Sequence, residues 1–172
     1  MIPDLQSIVI EEGLELVRFT EEFVRPVFDL IDANRAHLSQ LGDETADKYA
    51  TIQPLYESVM RPINPLRERY VILGSGVVVG SINIEPTGDK ATSFVMGYWL
   101  GEHFTRQGYA SKSARAISDN VLQRPGVSRV NAYTHPDNIP SQKALMNAGF
   151  SLLGVVKHGK HYSKRFTKRS SK

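Results

Sequence analysis

The chain has no cysteine in its 172 residues. Disulfides, thiolate metal sites and a cysteine nucleophile are excluded with it. Its five histidines are scattered and form no HExxH pattern, so the residues of a common zinc enzyme are missing and no metal is expected. No run approaches the roughly eighteen apolar residues of a membrane span. Met1-Ile2-Pro3-Asp4 also lacks the basic-then-apolar order of a signal peptide. These absences point to a cytoplasmic protein without a membrane partner. Internal repeats, low-complexity blocks and long Gly/Ser/Pro linkers are absent as well, so residues 1 to 172 are read as one domain. With 41% hydrophobic residues, a chain of this length encloses a sizeable core.

Acid is missing from one end. Residues 138 to 172 hold eight Lys or Arg and no Asp or Glu, whereas residues 1 to 137 hold 13 basic and 18 acidic side chains. Such a stretch attracts a polyphosphate, an acidic protein or RNA. The simpler reading, a solvated strand followed by a frayed basic tail over residues 167 to 172, is preferred.

What is present follows the periods of an α/β protein. Ile8-Val9-Ile10 and Leu14-Glu15-Leu16-Val17-Arg18-Phe19 read as a hairpin turned at Glu12-Gly13. Thr20-Glu21-Glu22, Pro26 and the spacing of Val27, Leu30, Ile31 and Leu38 predict a helix. Residues 44 to 60 look helical with a break at Pro54, which removes a backbone donor. Residues 69–73, the turn Gly74-Ser75-Gly76 and residues 77–84 give the strongest hairpin signal, and residues 93–100 add a third central strand. Ala110, Ala114, Ile117 and Val121 mark one face of a helix, and residues 129–134 return to strand. A short helix from Ile139 stops at Gly149, and residues 152–157 and 162–166 close the sheet. The order is ββ, helices, βββ, helix, β, helix, ββ.

Two segments carry chemistry. In Trp99-Leu100-Gly101-Glu102-His103-Phe104-Thr105-Arg106-Gln107-Gly108-Tyr109-Ala110-Ser111, a strand and short loop lead into a helix that starts with small residues. Backbone N–H groups at such a junction cradle an anion, and the helix start adds about half a positive charge. Gly108 permits close approach, Arg106 offers a charged donor, and Ala110 and Ser111 leave room. A glycine that merely starts a tightly packed helix explains the loop equally well. In the second segment, Asn138 is a natural N-cap, Pro140 suits a first turn, and Gly149 suits the residue after the helix. Capping leaves Ser141 unexplained, one turn beyond Asn138 and beside the preceding strand.

Together the segments resemble the GNAT superfamily, and most closely its branch of RimJ and RimL ribosomal-protein N-terminal acetyltransferases. The likeness runs through residues 31–38, Gly97-Tyr98-Trp99-Leu100, Gln107-Gly108-Tyr109-Ala110, and Asn138 with Ser141 through Ala148-Gly149-Phe150. It implies a mixed, largely antiparallel twisted sheet with splayed central strands, flanked by helices. It also implies acetyl-CoA as cosubstrate. Tyr98, Trp99 and Leu100 would meet the pantetheine arm, and Arg106, Gln107, Gly108, Tyr109, Ala110 and Ser111 the pyrophosphate. Asn138 and Ser141 would lie at the thioester, with the Ser141 hydroxyl protonating the departing thiolate after direct attack by the amine. The first expected acceptor is a protein N-terminus, ribosomal or other; the alternative is a polyamine, aminoglycoside or other small amine. A catalytically weak CoA-binding or RNA-associated module is the rival from another class, and nucleic acid is not the expected partner.

Three positions depart from the family pattern. Thr105 stands where Gln or Arg opens the phosphate loop, Val95 stands where an acid often precedes the Gly-Tyr pair, and the chain ends on basic residues instead of an Asp-containing strand. Glu85 is the first candidate for a catalytic base, Glu102 the second, followed by His135 and Asp137. An α-amine of pKa near 8 is about a fifth neutral at pH 7.4 and a lysine only about a thousandth, so α-amines need the base less.

Overall fold

A computed structural model describes residues 6–171. The signal-peptide reading of residues 1–4 lies outside them. Strands β1 (Ser7–Glu11) and β2 (Leu14–Arg18) form the expected hairpin. A 3-10 turn, Glu21–Phe23, leads into α1 (Val24–Ala33), which buries Val24, Val27 and Ile31 on one stripe. Leu38 is not on this helix. The side chain of Asn34, the C-cap of α1, donates back to the Leu30 carbonyl at 2.8 Å, and Leu38 is buried from a separate 3-10 turn, His37–Ser39.

The break in the next helical segment is also displaced. Helices α2 (Thr45–Lys48) and α3 (Ile52–Met60) part before Pro54, which sits in the first turn of α3. A first-turn N–H has no partner within its helix, so proline costs nothing there. Strands β3 (Glu68–Gly74), β4 (Val77–Thr87) and β5 (Ser93–Leu100) follow as a meander. After them come α4 (Tyr109–Leu122), β6 (Arg129–Thr134), α5 (Ile139–Asn147), β7 (Ser151–His158) and β8 (His161–Arg169).

The eight strands form one sheet in the order β1-β2-β3-β4-β5-β6-β8-β7. Every neighbouring pair is antiparallel except β5 and β6, whose parallel pairing requires the crossover that α4 supplies. Alternation along the strands divides the core. Tyr70, Ile72, Ile82, Ile84 and Met96 pack beneath α4 and α5 with Ile117, Val121 and Leu145. Val71 and Trp99 face Val27, Ile31 and Leu55 on the other side. Each fully buried Ile or Leu stabilises this arrangement by roughly 1.5–3 kcal/mol.

Residues 167–169 are not frayed where a basic tail was expected. Thr167, Lys168 and Arg169 pair with Asn131, Val130 and Arg129 of β6, and Thr167 is buried. The Lys168 ammonium reaches Asp119 at 2.5 Å, Ser118 at 3.1 Å and the Ala148 carbonyl at 2.9 Å. A long side chain buries its stem while its charge finds oxygen partners, so basic composition alone did not mark solvent exposure.

Candidate active site

The sheet opens in the middle. β5 pairs with β6 only from Ser93↔Arg129 to Met96↔Ala132; beyond that the strands separate, leaving residues 97–100 and 133–134 without each other's ladder. A bulge in β4 adjoins the gap, with Ile72 opposite Gly80 but Leu73 opposite Val78. A Cβ on Gly80 would lie 2.1 Å from the Trp99 carbonyl oxygen, so the close approach of β4 to the end of β5 requires glycine.

A cavity of about 1040 Å³ occupies the α4/α5 side of this wedge. Residues 98–100 of β5, the loop and helix start at Thr105, Arg106 and Gly108–Ser111, and Asn138, Ser141, Lys143 and Asn147 line it. Arg106 and Gly108 both adopt positive φ, 62° and 83°, curling the backbone before α4. No side chain caps α4. The first-turn N–H groups of this fourteen-residue helix have no partner within it, and Gly108–Ser111, which carry them, line the cavity, a fit for a phosphate oxygen. The Glu102 N–H donates to Asn34 Oδ1 at 2.9 Å, which ties the loop to the end of α1. Gln107 is turned away, donating to the His103 carbonyl at 2.7 Å, and does not line the cavity.

Tyr98 and Ser141 meet at the apex. Their hydroxyls lie 2.8 Å apart, and the Tyr98 hydroxyl also donates to the Ser141 carbonyl at 3.3 Å. Burial pushes the Tyr98 phenol up to about 12 against the opposing effect of the Ser141 bond, so it stays protonated at neutral pH. Asn138 has the capping role: its Oδ1 accepts the Ser141 N–H at 3.2 Å. Gln142 anchors the same turn by donating to the Pro136 carbonyl at 2.8 Å while accepting from Lys164 at 3.0 Å.

A second cavity, about 760 Å³, lies across the wedge and shares Leu41, Asp43, Tyr98, Trp99, Asn138 and Ser141 with the first. Side chains at the end of α2, the start of β3, in β4, after β6 and in the β7–β8 turn line it, including Tyr49, Arg67, Arg69, Asn83, His135 and Lys160. Nothing in the sequence spacing groups these residues. Among the candidate bases, Glu102 lines the first cavity and His135 the second, whereas Glu85 and Asp137 line neither. Glu85 accepts from Asn64 at 3.0 Å, two strand positions from Asn83 where the wedge begins, opposite Val95 where β5 and β6 are still paired. His135 Nδ1 accepts the Asp137 N–H at 3.1 Å, so the neutral ring carries its proton on Nε2 and offers a donor.

The sequence profile of the acetyltransferase (GNAT) domain matches residues 14–151. The chain belongs to the GNAT acetyltransferase family. Over 161 residues this acetyltransferase is 27% identical to the ribosomal-protein-serine acetyltransferase of Escherichia coli, covering 88% of this chain and 87% of that protein. It superposes on RimL, a ribosomal α-N-protein acetyltransferase in complex with coenzyme A, with a TM-score of 0.85 and 22% identity over 95% of this chain and 97% of that one. The aminoglycoside acetyltransferase AAC(6′)-Ib in complex with coenzyme A and kanamycin superposes with a TM-score of 0.77 at 16% identity, over 91% and 94% of the two chains. Proteins of different named acceptors therefore share this acetyltransferase's fold, and the fold does not choose among them.

Proposed function

We propose that the acetyltransferase moves the acetyl group of acetyl-CoA onto a protein N-terminal α-amine by direct attack. The observation that carries this reading is the meeting of two cavities at the Tyr98–Ser141 pair, so that a donor and an acceptor entering from opposite sides reach the same hydroxyls. Bound acetyl-CoA supplies an activated acyl carbon and a thiolate leaving group. The N–H groups at the start of α4, with Arg106, would hold the pyrophosphate, and β5 beyond Met96, free of its neighbour, would hold the pantetheine amides through unpaired backbone groups. The amine lone pair forms the new C–N bond as the C–S bond breaks. Ser141 would give its proton to the sulfur, and Tyr98, protonated at neutral pH, would resupply Ser141 through their shared hydrogen bond.

An α-amine suits a site whose first candidate base, Glu85, lies outside both cavities. About a fifth of such amines are already neutral at pH 7.4, so water suffices to carry the proton away. The relatives that act on ribosomal-protein termini support the same acceptor class. The RNA-associated alternative is weakened because Lys164, Arg165 and Lys168, three of the eight basic residues at this end, are engaged within the fold by Gln142, Asn131 and Asp119. The test incubates the protein with acetyl-CoA and free-amine peptides, following thiol release and locating the acetyl group by mass spectrometry. Acetylation at the α-amine is expected; acetylation confined to lysine side chains or small amines would refute the peptide acceptor.

A further inference from the structure

The second cavity has an unusual charge balance. Arg67 and Arg69 both line it, and both are half-buried. Neither has a carboxylate within salt-bridge distance among the described residues. Arg69 donates to Ser58 Oγ at 2.7 Å and lies over the rings of Phe19 and Tyr49, at 4.9 and 5.9 Å. Arg67 makes no side-chain hydrogen bond or ion pair among the described residues, and its Nε is buried without a partner.

The acid between them is turned away. Strand alternation sends Glu68 to the opposite face, where Arg124 holds both its oxygens at 2.5 and 3.0 Å and Arg18 approaches to 3.8 Å. The acids that do line the cavity are Asp43, whose Oδ1 accepts the Thr45 N–H at 2.8 Å, and the exposed Glu44; neither reaches an arginine. Lys48 and Lys160 add further positive charge to the walls. Tyr49 registers the resulting field: burial alone would raise its phenol, but Arg69, the Ser58 hydrogen bond, Lys48 and Arg67 together bring it below the ordinary value.

Half-buried guanidiniums without a counter-charge bear a desolvation cost that an incoming anion relieves, and their planar forks match carboxylate and phosphate oxygens. Polycations meet the opposite conditions. We infer that Arg67 and Arg69 make this cavity select an acceptor amine that carries an anionic group, a carboxylate or a phosphate, close to its amino end. For a peptide this means acidic side chains directly after the first residue. The inference deepens the proposed function and rests on its assignment of the second cavity to the acceptor.

The test compares two peptides of equal length with a free N-terminal serine, one continuing Asp-Glu and the other Lys-Lys, with O-phosphoserine and spermidine as a small-amine pair. Thiol release from saturating acetyl-CoA is the readout. The acidic peptide should exceed the basic one in kcat/KM by at least about tenfold, chiefly through KM. Arg67→Glu should reverse the order, and Arg67→Gln should abolish the preference, each with a melting temperature close to the parent's because Arg67 has no side-chain partner to lose. Equal use of both peptides, preference for the basic one, or an unchanged order in folded Arg67→Glu would overturn the inference. If neither peptide is acetylated, the peptide acceptor fails by itself. The anion preference is then decided by the small amines, where faster acetylation of O-phosphoserine sustains it and that of spermidine, or of neither, overturns it.

Discussion

On the side of β5 covered by α4 and α5, the cavity is bordered by three backbone features: an uncapped helix start, two positive-φ residues and the unpaired end of a strand. On the side covered by α1, α2 and α3, the wall draws on six separate stretches of the chain and carries long side chains such as Lys48, Tyr49, Arg67, Arg69 and Lys160. Backbone cradles suit a ligand that every family member shares, because they depend on conformation more than on residue identity. Side-chain walls suit an acceptor that changes between relatives, since one substitution alters charge or shape without disturbing a ladder.

The comparison breaks most decisively at Gly108. Its φ of 83° is a conformation that Asp and Asn tolerate better than other side chains, and an added Cβ would meet only the Lys112 stem at 3.5 Å, so both variants should fold. Gly108→Asp puts a negative charge at the helix start and should weaken CoA binding by about a hundredfold or more, whereas neutral Gly108→Asn should weaken it several-fold. Calorimetry with CoA measures both. Equal losses would mean that geometry alone, and not anion binding, is at work there.

Ser141→Ala probes the seam between the cavities. Turnover should fall about ten- to a hundredfold, about 1.4–2.7 kcal/mol of transition-state stabilisation, with CoA affinity nearly unchanged. Tyr98→Phe should cost less, about tenfold or below, and the double variant should be no worse than Ser141→Ala if the two hydroxyls act as one relay. Additive losses would separate them. The activity should also show no titration from Tyr98 below pH 10, because its phenol is pushed up to about 12.

Smaller effects test what supports each side. Ending the chain after Phe166 removes three residues paired with β6 and the Lys168 tie to α4 and α5, and should lower the melting temperature by about 5–10 °C. Ending it after Arg169 should change little, so thermal melts of the two truncations locate the boundary of the packed strand. The least effect is expected at Glu68. Burial pushes its carboxyl up, but Arg124, bonded to both oxygens, together with the Tyr70 hydrogen bond and the Arg18 charge, holds it below its ordinary range. A carboxylate depressed in the folded state contributes stability above its unfolded pKa, near 4.3, and loses it as pH falls through the folded value. Acid melts should therefore steepen below about pH 4.3 in the parent and less in Glu68→Gln.

The sequence determined the features that local chemistry enforces. Hairpins at Glu12-Gly13 and Gly74-Ser75-Gly76, the loop at Gly108 and the Asn138 cap depend on residues within a few positions of one another, so their spacing suffices to read them. The errors were local as well: Leu38 kept helical spacing after the helix had ended, and Pro54 served a first turn where a break was expected. Only the tertiary structure decided which side chains share a cavity. Arg69 and, just before β3, Arg67 line it while Glu68 points to the other face, Tyr98 meets Ser141 across 43 positions, and Lys168 is drawn inward by Asp119. Such meetings follow from sheet order and from where β5 leaves β6. Pairing between distant strands fixes both, and that pairing leaves no periodic mark along the chain.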